Sequence, residues 1–179
     1  MKIGIDLDGT LSDMHAPWLA IYNERFGDNL TKEDLHGWDI DRYVKPECGE
    51  KVFEILDEPG FFRNAPVQPF AQEALTLLRK DHTLYVVTAY YHLNAVMEQK
   101  IGWLLEHFPM IDPKNIIFCN PKSLLSGLDL LIDDSPKNIE MFPNAVLVYK
   151  HKWNECLGNK FPFLESWKDI IDGEVVLKP

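Results

Sequence analysis

MKIGIDLDGTLSD, residues 1–13, sets an apolar run, Ile3-Gly4-Ile5, directly before two carboxylates two positions apart, Asp6 and Asp8, with Gly9-Thr10 behind them. The run reads as a buried strand and the acids as its tip. Like charges held close raise each other's cost unless a cation or a proton relieves them, so the motif asks for a partner. Side chains two apart on a strand project to the same side, which lets Asp6 and Asp8 face one ligand. Gly9 gives the backbone freedom to turn and leaves its N–H room to approach an anion. A calcium loop does not fit, because the third ligand position would be Thr10 and the twelfth is Pro17 rather than glutamate.

Four further runs read as strands: Leu84-Tyr85-Val86-Val87, Ile116-Ile117-Phe118-Cys119, Leu130-Leu131-Ile132 and Ala145-Val146-Leu147-Val148. Each is short, apolar and partly β-branched, as strands buried on both faces should be. Between them, Ala71, Ala74, Leu75 and Leu78 fall at helical spacing, and Met97, Ile101, Leu104, Leu105 and Phe108 outline a second helical stripe. Alternation of this kind predicts an α/β fold, a central parallel sheet with helices on both faces, whose ligands gather at the carboxyl ends of the strands. Residues 11–66 break the rhythm. They carry eight aromatics, Trp18, Tyr22, Phe26, Trp38, Tyr43, Phe53, Phe61 and Phe62, and no strand. Pro17-Trp18 with Ile21, Tyr22 and Phe26 predicts one helix, and Val52, Phe53, Ile55 and Leu56 a second. The expected organisation is an α/β core from residues 1–10 and 67–179, with a small helical cap, 11–66, inserted after the first strand and hung over the strand ends. Residues 163–171 read as a short helix capped by Ser166.

A length of 179 residues suits one domain with a full core and a small insert. The net charge of −10 argues against a nucleic-acid polymer or an anionic membrane as partner, and requires local positive charge to draw in any anionic substrate. No apolar stretch approaches the ~20 residues of a membrane span, and the N-terminus lacks a signal-peptide pattern. Cys48, Cys119 and Cys156, an odd number without metal-type spacing, are expected to be reduced thiols of a cytoplasmic protein. A homodimer is among the assemblies the sequence allows.

The strand ends carry the chemistry. Asp6 and Asp8 follow the first strand, Thr88 the second, Lys122 the third, and Asp133-Asp134 the fourth. In a parallel sheet these ends open on one rim, which would gather four carboxylates, a hydroxyl and an ammonium. Carboxylate oxygens are hard ligands for Mg²⁺, which would neutralise the crowded acids. Thr88 and Lys122 can hold phosphate oxygens. One free carboxylate can attack phosphorus, and a second can protonate the leaving oxygen and later deprotonate water. Singly, Thr88 is a strand-end hydroxyl, Lys122 a solvated cation and Asp133-Asp134 a helix-capping turn; the ordered set is what points to phosphate.

Asp6-Leu7-Asp8-Gly9-Thr10, Thr88, Lys122 and Asp133-Asp134 resemble the four motifs of the haloacid-dehalogenase-like (HAD) phosphohydrolases. Glu58-Pro59-Gly60-Phe61-Phe62, the helix around Trp103, residues 116–134 and Ser166-Trp167 are similar to the 5'(3')-deoxyribonucleotidases within that superfamily. The resemblance implies a HAD-like Rossmannoid three-layer fold and a Mg²⁺-dependent phosphomonoesterase, a 5'-nucleotidase acting on (deoxy)nucleoside monophosphates through an aspartyl-phosphate. It implies Asp6 as nucleophile and Asp8 as general acid/base. Asp6, Asp8 (through its backbone carbonyl) and Asp134 would hold the metal, with Asp133 behind them or as an alternate ligand. Thr88, Lys122, Gly9 and Ala89 would surround the phosphate. Where those relatives place Ser-Pro after the threonine, this chain has Ala89-Tyr90, so one phosphate hydroxyl is missing and Tyr90 is expected to reshape the pocket.

Three rivals stand beside this reading. A phosphatase for another small metabolite, such as a sugar phosphate, would have a more polar pocket. A receiver-like signalling domain would place its phosphorylated aspartate on the third strand, where this chain has Cys119-Asn120. A non-catalytic phosphate-binding module would not need Asp6 and Asp8 intact. Among the insert aromatics, Phe61 or Phe62 is the expected contact to a nucleobase, a place in the core being the alternative for either.

Overall fold

In the computed structural model, residues 1–91 and 93–178 are described; His92 and Pro179, both within the expected core segment, lie outside the described residues. Strands β1 (Lys2–Ile5), β2 (Thr83–Thr88), β3 (Ile116–Phe118), β4 (Leu130–Asp133), β5 (Ala145–Tyr149) and β6 (Phe163–Leu164) form one sheet in the order β3-β2-β1-β4-β5-β6. Every pairing is parallel, with Ile5 opposite Val86 on one side and Ile132 on the other. The reversal of strand order beside β1 puts its carboxyl end at the switch point where such sheets bind ligands.

Helices cover both faces. Ile3 and Ile5 pack with Ala74 and Leu75 of α2 (Ala71–Leu78), Trp103 and Leu104 of α3 (Asn94–His107) and Ile170 of α5 (Lys168–Ile171). On the other face Val87, Leu131 and Val148 pack with Ile139 of α4 (Pro136–Met141) and with Leu157. Gly4 lies on this second face, where an added Cβ would stand 2.6 Å from Leu128 Cδ1, so a side chain there would displace the Leu128 methyl. This is the expected three-layer α/β architecture. No helix among the described residues is long and apolar enough to cross a membrane.

Three expectations about elements are corrected. Residues 163–171 are not one helix. Phe163 and Leu164 pair with Val148 and Tyr149 as a sixth strand, and helix begins only at Lys168, whose N–H is accepted by the Ser166 hydroxyl at 3.2 Å. The physical reason is the otherwise bare edge of β5. On α3 the buried residues are Val96, Lys100, Trp103 and Leu104, whereas Leu105 is exposed. The true stripe is turned toward Lys100, because the Trp103 indole donates to the Ala65 carbonyl at 2.7 Å and Lys100 turns inward to an acid.

Between β1 and α2 the chain forms α1 (His15–Phe26), ended by Gly27 at φ +58, and short 3₁₀ segments at Lys32–Asp34, Ile40–Arg42 and Gly49–Asp57. The second expected helix is thus 3₁₀ rather than α. Trp18, Leu19, Tyr22, Val52, Ile55, Phe61 and Phe62 make a core of their own, joined by Val96 and Trp153. The chain enters and leaves this segment side by side: Asp13 N–H donates to Pro66 (2.7 Å) and Gln68 N–H to Leu11 (2.8 Å). Leu11 itself packs with the sheet.

Candidate active site

The ladder continues one residue past β1, where Asp6 N–H donates to Ile132 at 2.8 Å, and it carries the Asp6 carboxylate to the rim. Leu7 turns back into the core. The loop is then tightened on Leu7, whose carbonyl accepts from the Leu11 and Ser12 N–H groups at 2.9 Å each. Trp167 fixes the same loop from the far end of the chain, donating from its indole to Thr10 at 2.9 Å.

Gly9 has φ +88, a region that favours glycine, and a Cβ there would stand 2.4 Å from Asp134 Oδ2. Expected beside the phosphate, the Gly9 N–H here donates to the Ser12 carbonyl at 2.9 Å. Its carbonyl accepts from Gln68 and lies 2.7 Å from His151 Nε2. Gly9 therefore makes room for Asp134 and braces the loop.

All the expected strand-end groups meet. Lys122, on a 3₁₀ turn after β3, ion-pairs with Asp6 and, at 2.7 Å, with Asp133. Asp133 also accepts from the Ser135 N–H (2.8 Å) and from Asn138. Both its oxygens are occupied, so it anchors Lys122. Asp134 differs: Oδ1 faces the Thr10 hydroxyl at 3.4 Å, and Oδ2 is buried with no partner. Thr88 donates to Asp8 Oδ2 at 3.2 Å, while Asp8 Oδ1 is buried and unpartnered. Ala89 follows Thr88 half-buried, and Tyr90 is exposed.

Sequence reasoning missed one member of the cluster. Lys100 of α3 is 3% exposed, ion-pairs with Asp8 and donates to Thr88 at 3.4 Å. The signal that could have found it is a lysine in register with Val96, Trp103 and Leu104 on a buried helix face.

Four carboxylates facing two ammoniums leave a formal surplus of two negative charges. Burial pushes the Asp6 carboxyl above its ordinary range, with Lys122 pulling against it. Burial likewise raises Asp134, and the neighbouring Asp6 and Asp133 add to the effect. Burial alone would lower Lys122, but Asp133 and Asp6 hold it above its ordinary value. Among the described residues no three acids or other ligating side chains converge as a ready metal cage, since the lysines hold oxygens of Asp6 and Asp8. The donor set nevertheless fits a divalent, oxygen-preferring cation. Two buried carboxylate oxygens are orphaned, two charges are unbalanced, and a glycine makes space beside Asp134.

A cavity of about 210 Å³ opens from Asp8 beneath the inserted segment, lined among others by His15, Trp18, Trp38, Phe53 and Trp153. Phe61 and Phe62, one or other of them the expected base contact, are both buried in the insert's core, packed edge to face at 5.0 Å. Trp153, on the segment after β5, was not anticipated as a lining residue; His151 stacks on it at 4.0 Å, and the His15 ring lies tilted against it at 4.3 Å.

Comparison with known proteins agrees with this architecture. A 5'(3')-deoxyribonucleotidase of Clostridium acetobutylicum is 45% identical over 165 residues, covering 92% of this chain and 89% of that protein. Among solved structures, a haloacid dehalogenase-like protein of unknown function from Agrobacterium tumefaciens superposes with a TM-score of 0.66 at 12% identity, over 97% of this chain and 96% of its own. A HAD hydrolase of Bacillus subtilis, described as bound to magnesium, superposes with a TM-score of 0.56 at 13% identity over 98% of each chain. The family model for the 5' nucleotidase, deoxy (pyrimidine), cytosolic type C proteins matches residues 1–178, and it is to this family, built on the HAD-like fold, that the chain belongs.

Proposed function

We propose that this protein is a phosphomonoester hydrolase acting on nucleoside monophosphates, deoxyribonucleotides foremost, through a phosphorylated Asp6. The observation that carries the reading is the charge array at the sheet rim, two of its buried carboxylate oxygens unpartnered, under an aromatic-lined cavity that reaches Asp8. Family membership and the nucleotidase relatives support the substrate class.

The residues divide the work as follows. An Asp6 oxygen attacks phosphorus, and the bond to the leaving nucleoside oxygen breaks. Asp8 gives that oxygen its proton, then takes one from the water that attacks the phospho-aspartate, which returns Asp6 and releases inorganic phosphate. Thr88 and Lys122 hold the non-bridging oxygens. Lys122, anchored on Asp133, turns from Asp6 to the phosphate as the charge of Asp6 is consumed. A Mg²⁺ ion held by Asp6, the Asp8 carbonyl and Asp134 would neutralise the site's surplus charge and that developing on the phosphate.

Sugar-phosphate hydrolysis is the weaker reading, because the cavity is lined by indole and phenyl rings rather than by sugar-binding polar groups. A receiver domain is weaker still: β3 ends at Phe118 and no acid follows it at the rim. The test is phosphate release from deoxy- and ribonucleoside monophosphates and from sugar phosphates, with Mg²⁺ and with chelator. We expect nucleotides to give the higher kcat/KM, chelator to stop turnover, and Asp6→Asn to leave none. Higher kcat/KM on sugar phosphates would overturn the substrate class, and substantial activity in Asp6→Asn would overturn the covalent route.

A further inference from the structure

The described residues include two buried lysines, and the reaction above uses only Lys122. A buried ammonium is costly unless it is paired in good geometry, so the environment of Lys100 shows what it is kept for. Its stem rises from the buried face of α3 between Val96 and Leu104. Its Nζ meets three groups: Asp8 Oδ2, the Thr88 hydroxyl at 3.4 Å, and the ring of Phe62, whose centroid lies 4.6 Å away. Thr88 donates to the same Asp8 oxygen at 3.2 Å. Two donors therefore hold Oδ2, and Oδ1 of the same carboxyl is left buried and unpartnered. A carboxyl pinned by one oxygen has its plane fixed and presents the other in one direction. Lys122, by contrast, pairs with Asp6 and Asp133.

We propose that Lys100 is the positioning residue of the acid: it pins Oδ2 of Asp8 and thereby makes Oδ1 the oxygen that hands a proton to the leaving group and takes one back from water. The inference rests on the acid/base reading of Asp8 given above. Phe62 belongs to the core of the inserted segment, so its ring over the ammonium also ties the acid to that segment.

A leaving-group comparison separates this role from a structural one. The leaving oxygen of a deoxynucleoside monophosphate needs a proton, whereas p-nitrophenolate departs without one. The kcat/KM reports steps up to phosphorylation of Asp6 and so reads the acid. Lys100→Met keeps the stem against Phe62 and removes the charge. It should lower kcat/KM on a deoxynucleoside monophosphate by about 10²-fold and on p-nitrophenyl phosphate by less than about tenfold, the deficit expected when general acid catalysis alone is impaired. Asp8→Asn should show the same selectivity, and the Asp8→Asn, Lys100→Met double variant should be no slower than Asp8→Asn alone. If Lys100→Met is slowed equally on both substrates while Asp8→Asn is selective, or if the two losses multiply in the double variant, Lys100 does not act through Asp8 and the inference falls while the acid stands. If Asp8→Asn is itself unselective, the acid reading falls and the inference with it. Should Lys100→Met fail to fold, Lys100→Gln, which keeps a neutral donor, is subjected to the same comparison and judged by the same outcomes.

Discussion

Asp133 and Asp134 are chemically identical neighbours with opposite surroundings, and that contrast supports separate tasks for them in the proposed mechanism. Asp133 is enclosed by Lys122, Ser135 and Asn138, whereas Asp134 keeps a buried oxygen without a partner. Asp133→Asn removes one of the two anions on a fully buried ammonium, so it should cost roughly 3–5 kcal/mol of stability, read in urea unfolding. Asp134→Asn removes a carboxylate whose ionisation burial already opposes, so the metal-free protein should unfold no more easily than wild type. Its effect should appear in the metal titration. Loss of even an outer partner of a metal ligand costs 10–100-fold in affinity, so the Mg²⁺ needed for half-maximal activity should rise by at least about tenfold. Unchanged Mg²⁺ dependence in Asp134→Asn would remove it from the metal site. Gly9→Ala tests the same corner sterically, since the new Cβ would collide with Asp134 Oδ2; it should abolish turnover. The spacing of acids after strands made Asp6, Asp8, Thr88, Lys122 and the Asp pair legible. Which member of the pair is free came only through the family resemblance and not from the spacing, because it depends on Asn138 and on the helix that brings it there.

At the scale of elements, the longer strands and α1 could be read, and the rest of the insert could not. A strand buried on both faces announces itself by a continuous apolar run, and β1 to β5 stand where such runs are. The stripe of α3 was read one step out because a functional lysine occupies its buried face, the kind of local conflict expected where function overrides pattern. The aromatics of the insert carried too little information to sort core from pocket: Phe61 and Phe62 are buried, whereas Trp38 is 50% exposed and lines the cavity. The sorting yields a paired prediction. Trp38→Ala should leave the melting temperature near wild type, because half the side chain is already in water. It should lower kcat/KM for nucleotides relative to p-nitrophenyl phosphate by about 5- to 160-fold, the range set by ~1–3 kcal/mol of base stacking. Phe61→Ala empties a packed position and should cost about 3–5 kcal/mol of stability while lowering both activities together. Equal treatment of the two substrates by Trp38→Ala would place the base elsewhere.

Across the whole molecule, the sheet edge and the joint between insert and core are where the sequence was silent. β6 is two residues long, below what any periodicity can signal, and exists because β5 offers an unpaired edge. The joint is built by His15, His151 and Trp153, drawn from opposite ends of the chain into one aromatic cluster. Burial, with His151 adding to it, lowers His15 to about 3; burial lowers His151 to about 4, against the pull of its bond to Gly9. Both are neutral in the folded protein near pH 7. The unfolded chain takes up protons at these histidines below about pH 6.5, and the folded protein refuses them until about pH 4 and 3. Stability due to each histidine is therefore full above pH 6.5 and declines as pH falls, by about 1.4 kcal/mol per pH unit while only the unfolded state is protonated. Asp6 and Asp134, raised by burial, act in the opposite sense in metal-free protein, so the wild-type curve alone mixes the two. The difference between wild type and His15→Leu isolates one histidine. Urea unfolding in chelator at pH 7, 6 and 5 should show the advantage of wild type over the variant shrinking, or its deficit growing, by up to about 2 kcal/mol between pH 6.5 and 5. Parallel curves would mean that His15 titrates as freely folded as unfolded, and that the joint is open to water.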